Sequence, residues 1–506
     1  ATLFHRISVN PPGGFTSSPM FDDGQHGDGE SGDGEFGILL PAESDRTVVE
    51  FYVSVSNGTN TRTWPAPTNT GQNANALFQF DDEEFTGSYS IYRTIISDFD
   101  EDRFPFDNRQ SNAELNATFI ADNCGDISVR YQAGLRIRGA SSRNDTPPPV
   151  RVNLASDRPW SGETRLNLNS QFTWLQFIGM KFFQASGLPA PDTKRIAMRR
   201  NGSDRSEQGE EGYGSIVHVQ PLQEEFLDSH LVDSGGNLYK KTRPDNNWAY
   251  REGNVQDYLN DGWNKQTNAS ENDWSDLDEW LRVMNEVQGE ADYIAQVEAV
   301  ANLDQWMQWL AVMTILNNGE TNASNGTDDD YSIYRGLDDT RFIFIPHDLD
   351  TILGQGDGSS ITNPESTIFD MIERADELEP LIPLFQDAGV LTRYYQALRE
   401  QLQTTFSVEQ FDAMLDNHLT GWVPQDVIGD LKSYMDTRRA YITGLVDAQL
   451  GAPPALTPGI TDGTFTAPRG DLYISEVLAS NVSTIDIGGG VFPDFIELHN
   501  SGSSPL

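Results

Sequence analysis

A chain carrying 77 acidic residues against 34 basic ones, a formal net charge of −43, must keep its carboxylates in water or around cations. Such a surface repels phosphate backbones, so DNA and RNA are excluded as natural partners. A nucleotide is compatible with it only if a divalent cation offsets the phosphates. Lysine occurs only at Lys181, Lys194, Lys240, Lys241, Lys265 and Lys432, so arginine supplies most of the positive charge. A highly solvated surface accounts for this balance as well as a specific cation store does. The chain is nevertheless built to fold: 37% of it is hydrophobic, with 10 Trp, 26 Phe and 16 Tyr. Its 506 residues suffice for about two to four domains. The single cysteine, Cys124, can form no disulfide within the chain. No apolar run approaches the roughly 20 residues that span a bilayer. The termini, Ala1-Thr2 and Ser504-Pro505-Leu506, read as cut from a longer protein.

Four regions separate by pattern. Residues 1–80 carry alternating β-type runs such as Val48 to Val55 and read as a small β-sandwich. Residues 85–450 read as the main domain. Strands are expected at Ile127–Tyr131 and Gly134–Arg138, and helices near 170–187, 275–299 and 302–316. A strand pair at Tyr331–Tyr334 and Arg341–Pro346 follows, then a helical run over 365–450. Strands followed by helices predict an α+β class. Residues 451–470 form a Pro/Gly/Thr-rich linker, and a new β segment begins at 471 and runs towards 506.

Three segments of the main domain could assemble a phosphate and metal site. In the first, a strand delivers Arg136 and Arg138 into the turn Gly139-Ala140-Ser141-Ser142-Arg143. Cationic side chains beside exposed backbone N–H groups hold phosphate oxygens, although an ordinary hairpin end looks the same. In the second, the apolar strand Phe344–Pro346 leads into His347-Asp348-Leu349-Asp350. Alternation puts Asp348 and Asp350 on one face, a carboxylate pair suited to Mg²⁺; a helix cap is the competing use. In the third, Glu320 follows an apolar helix and precedes Asp328-Asp329-Asp330. It could act as a general base or second metal ligand, while Asp328 and Asp329 fit a solvated loop equally well.

Residues 20–35 hold closely spaced acids on a glycine-rich loop: Asp22, Asp23, Asp28 and Asp33. Such oxygens can ligate Ca²⁺, although the spacing is not that of an EF-hand. The loop resembles those of immunoglobulin-like or fibronectin-like modules on bacterial surface proteins. A plain acidic turn is the alternative.

The segments "GLRIRGASSR", "FFQASGLPAPDTKRIAMRRNG", "GGNLYKK" and "RFIFIPHDLDTILG" resemble, in order and spacing, the motifs of the CotH kinase family of atypical protein kinases. The resemblance covers about 130–445. It implies a kinase-like α+β core that moves the ATP γ-phosphoryl group to Ser or Thr of a protein, with Mg²⁺ or Mn²⁺. It also implies roles. Asp348 would bind metal, assisted by Asp350, and Glu320 would stand where many members have a catalytic Asp. Arg138, Gly139, Ser141, Ser142, Arg143 and Arg151 would address the nucleotide. Three departures stand out: Pro147-Pro148-Pro149 where the family has Lys, Gln220 in place of Glu, and Glu320 in place of Asp. These departures leave open a non-catalytic pseudokinase or surface adhesion protein. The segment from Leu472 to Leu506 resembles the start of a lamin-tail domain, so export to the cell surface is the expected context.

Overall fold

The computed structural model describes residues 1–69, 71–104, 109–242, 248–319, 330–356, 363–373, 379–452, 472–478 and 495–500, the last two as backbone only. It divides into two units, Ala1–Gly451 and Ala452–Leu506. The first opens with five strands, β1 (Thr2–Ile7), β2 (Thr16–Pro19), β3 (Val48–Ser56), β4 (Thr61–Trp64) and β5 (Ala76–Gln79). They form a single sheet in the order β2-β1-β3-β4, with β5 also on β3. The two-sheet sandwich expected for residues 1–80 is therefore one sheet among the described residues. Val48 and Leu77 from it bury against Ile95 and Ile120, so strands from further along the chain supply the second layer.

Those strands are β6 (Ser90–Ile95), β7 (Leu115–Asn123), β8 (Asp126–Ile137), β9 (Val150–Asn153), β10 (Arg165–Asn169), β11 (Thr193–Arg200), β12 (Ser203–Asp204) and β13 (Ile216–Val219); helix α1 (Asp98–Arg103) lies between β6 and β7. The sheet runs β11-β13-β10-β9-β8-β7-β6, and β6 pairs in parallel with β11, which closes the ring. Closure removes both sheet edges, and every second side chain points inward. Tyr92, Phe119, Leu135, Val152, Leu166 and Trp160 fill the interior. The two strands expected around 127–138 are one, β8. Gln132 takes a positive φ of 57° where the β7 register shifts between Ala117 and Phe119, so a bulge replaces a break.

Helix α2 (Thr173–Ala185) leaves the barrel, and α3 (Glu224–His230) follows β13. A four-stranded sheet comes next, β15-β14-β16-β17, from β14 (Asn237–Lys241), β15 (Trp263–Lys265), β16 (Tyr331–Arg335) and β17 (Ile343–Pro346). Helices α4 (Val255–Asn260), α5 (Ser275–Glu286), α6 (Tyr293–Val300) and α7 (Leu303–Leu316) surround it. The single helix expected over 275–299 is two, α5 and α6, parted where Gly289 takes a φ of 86°. Trp248, Trp306 and Trp309 pack round Phe344, with the Trp309 and Phe344 ring centroids 4.7 Å apart, and Trp280 packs beside them on Phe342.

Long helices Ala388–Gln403, Val408–Leu419 and Gln425–Leu450 complete the unit. On the last, Arg438 is fully buried and donates to the carbonyls of Thr314, Pro364 and Ser366. The second unit contains an antiparallel pair, β18 (Leu472–Leu478) with β19 (Phe495–Asn500). No helix among the described residues is long and apolar enough to cross a membrane.

Replacing Arg438 with Met roughly keeps the volume but removes the guanidinium donors from the carbonyls of Thr314, Pro364 and Ser366. The expected loss is about 3 kcal/mol of unfolding free energy, read from urea denaturation.

Candidate active site

A cleft of about 640 Å³ lies between the outer face of the barrel and the four-stranded sheet. Strand alternation builds its barrel side. Arg136 on β8 stands directly across from Arg151 on β9, which in turn opposes Asn167 on β10. Arg138 continues the same face just past β8. Like charges opposed across strands repel, so this face is electrostatically costly in the absence of an anion. Neutral amides hold it in place: Arg151 Nε donates to Asn167 Oδ1 at 3.0 Å, and Arg138 donates to Asn169. Burial, opposed by Asp348 and reinforced by Arg136, brings Arg138 down to about 10. Burial and the neighbouring Arg138 and Arg136 bring Arg151 to about 9. Arg138 Nε is buried without a hydrogen-bond partner among the described residues.

The turn after β8 also lines the cleft, through Gly139, Ser141 and Ser142. Gly139 has a φ of 97°, and a Cβ there would collide with Ser142 Oγ. Arg143 lines the cleft too, but its guanidinium is committed to the loop, donating to the carbonyls of Gly139, Arg109 and Ser111 and to Asn112. It shapes the turn and leaves anion contact to Arg138 and Arg151.

Lys240, Asp330, His347, Asp348 and Asp350 form the opposite wall. Lys240 points out of β14 and lies 2.6 Å from His347 Nε2. Burial, against the attraction of Asp330, lowers this lysine to about 8. His347 Nδ1 lies 3.6 Å from Asp330 Oδ1, and burial together with the Lys240 charge holds the imidazole below its ordinary value. Asp330, His347 and Asp348 each bring one ligand atom within 4.8 Å of the others. Asp350 shares the cleft outside that cluster. Leu349 turns the other way and is fully buried, as alternation predicts. The cleft is also lined by the apolar residues Phe172, Pro191, Val219, Pro221 and Leu222.

The structure thus gathers Arg138, Gly139, Ser141, Ser142, Arg143, Arg151, Asp348 and Asp350 in one place. Glu320, Asp328 and Asp329 lie outside the described residues. Gln220 turns its amide to Asp192 N, Ser229 and His230, so the exchange from Glu serves the packing of α3. Lys240 was overlooked, although it stands in the "GGNLYKK" segment on a strand whose alternation aims it at the cleft. In the sequence Asp330 and His347 look like part of an acidic loop and a strand end, with nothing local to bring them together.

In the N-terminal loop the acids serve their own backbone. Asp28 accepts from Gly24 N and His26 N, Asp33 from Glu30 N and Glu35 N, and Asp22 from Gly32 N and Gly34 N. Local desolvation raises the Asp28 carboxyl, but those N–H groups outweigh it and bring it to about 2. Asp23, His26 and Asp28 lie close enough to share an ion, without Asp22 or Asp33.

A model of the CotH kinase protein family matches residues 135–441, a span that includes both charged walls of the cleft. The chain belongs to the CotH kinase protein family. No curated protein matches it in sequence. Among solved structures, the Helicobacter pylori proinflammatory kinase CtkA aligns at 9% identity and a TM-score of 0.30, over 59% of this chain and 93% of that one. The Shewanella oneidensis HipA–HipB toxin–antitoxin complex with operator DNA aligns at 12% identity and 0.25, over 74% and 76%. At those TM-scores neither likeness bears on function. For this CotH kinase protein, Arg138→Gln removes a charged donor from the cationic wall of the cleft. An affinity for ATP at least about tenfold weaker is expected by calorimetry, with the fold intact by circular dichroism.

Proposed function

We propose that this chain is an atypical protein kinase that transfers the γ-phosphoryl group of ATP to a Ser or Thr hydroxyl of a protein, using Mg²⁺ or Mn²⁺. One observation carries the reading. Two arginines, neither with a carboxylate at hydrogen-bond distance among the described residues, face an Asp-His-Asp cluster and its neighbour Lys240 across a nucleotide-sized cleft. An anion with a cation bound to it would satisfy both walls, and the unpaired Arg138 Nε fits a phosphate oxygen. The carboxylates of Asp348 and Asp330, with Asp350 beside them, fit a hard divalent ion.

In this reading the apolar lining at Val219 and Leu222 takes the flat base, which sets the triphosphate against Arg151, Arg138 and Lys240. A divalent cation held by Asp348 and Asp330, with Asp350 beside them, would supply neutralisation of the negative charge on the phosphates. Arg138 and Lys240 orient the γ-phosphoryl group and exclude water from its flank. The acceptor oxygen forms its bond to phosphorus as the bond to the β-phosphate oxygen breaks and ADP leaves. The hydroxyl proton passes to the Glu320 carboxylate, one methylene longer than the family's Asp. Lys240 stands in for the lysine lost to Pro147-Pro148-Pro149. We assign the protein to an exported setting, with the β segments at either end as attachment or spacing modules.

The test is transfer of label from γ-labelled ATP to the protein itself or to casein. Asp348→Ala should lower it by at least about 10²-fold. ATP-dependent thermal stabilisation with no transfer by the wild type would instead make the protein a nucleotide-binding scaffold.

A further inference from the structure

The turn that carries Asp348 is held from behind by one side chain. Gln176 lies on α2, one turn past Phe172 at the helix start, and is 1% exposed. Its Oε1 accepts from Leu349 N at 2.9 Å, and its Nε2 donates to the carbonyl of His347 at 3.0 Å. The two bonds bracket Asp348, gripping the main chain immediately before and after it. The orientation of the amide is fixed by its partners, because a flipped group would set N–H against N–H and carbonyl against carbonyl. From the other side, Asn318 Nδ2 donates to the Asp348 carbonyl at 3.1 Å.

The same face of α2 is cut to receive this turn. Gly179, three residues beyond Gln176, lies under Leu349: a Cβ at that position would stand 2.8 Å from Leu349 Cβ. Only glycine allows the helix this near. Both features belong to the helix rather than to the cleft, and neither residue lines the cavity.

We infer that Gln176 is a positioning residue for the divalent cation, fixing the main chain on both sides of Asp348 and hence the direction in which its carboxylate meets the ion. The inference rests on the cation reading of the cleft given above. Groups that orient a metal ligand govern affinity without touching the metal, because a freely turning carboxylate must be ordered at each binding event. Gln176→Glu keeps the acceptor for Leu349 N but removes the donor to His347. Gln176→Leu removes both.

Mn²⁺ binding to the full chain, followed by the electron paramagnetic resonance signal of the free ion, separates the possibilities. Each protein is measured well below its own metal-free melting midpoint, so that lost stability does not register as lost affinity. Mn²⁺ affinity should fall on the order of 10- to 100-fold in Gln176→Leu, with Gln176→Glu between it and wild type. Gly179→Ala, which displaces Leu349 from the helix side, should move affinity in the same direction. Equal affinity in wild type, Gln176→Glu and Gly179→Ala overturns the inference, even if Gln176→Leu fails to fold. A fall confined to the melting midpoint also overturns it, marking Gln176 as packing only. Wild type that binds no Mn²⁺, with or without ATP, overturns the cation reading itself.

Discussion

Closing the barrel fixes the direction of everything that follows. Once β6 has paired with β11, each residue on β8, β9 and β10 must point either into a packed interior or out to one shared face. Leu135, Ile137, Val150, Val152, Leu166 and Leu168 take the interior, which commits Arg136, Arg138, Arg151, Asn167 and Asn169 to the exterior. The cationic wall is thus the by-product of a hydrophobic decision. A shift of one residue in any of these strands would bury the arginines and expose the aliphatic side chains.

That wall stands out because the rest of the molecule is so acidic. Elsewhere several arginines meet carboxylates: Arg6 with Glu50, Arg199 with Glu83 and Asp204, Arg200 with Glu101, Arg251 with Asp261. In the cleft, Arg138 and Arg151 are given asparagines in place of aspartates. An amide orients a guanidinium without neutralising it, so the positive charge is kept for something that arrives from outside. The opposite wall obeys the same rule. The His347 ring stands between Lys240 and Asp330, contacting each through a different nitrogen, and the two charges do not collapse into a direct ion pair.

Much of this was legible in the chain, for identifiable reasons. The Phe344–Asp350 block announces itself because an apolar strand ending in alternating acids has few other uses, and Leu349 buries as the alternation requires. Arg138 and the Gly139 turn were readable because an arginine-bearing strand runs into a Gly/Ser turn, where Gly139 then takes the positive φ that glycine adopts cheaply. Gln176, in contrast, was invisible. A glutamine in the middle of an apolar helix carries no periodic signal, and its partners lie more than 170 residues away. Lys240 was hidden differently: the residue was read within a motif, but nothing local shows that β14 crosses the cleft opposite β8 and β9. The single sheet at the N-terminus escaped notice because its second layer comes from strands further along the chain.

The scarcity of lysine has a practical consequence. Only six primary amines sit on side chains in the whole sequence, and Lys241 and Lys265 are sealed in the interior. Reagents that acylate amines would therefore meet a nearly silent surface. Against that background Lys240, whose lowered basicity favours the nucleophilic neutral form, becomes a natural chemical beacon for whatever occupies the cleft.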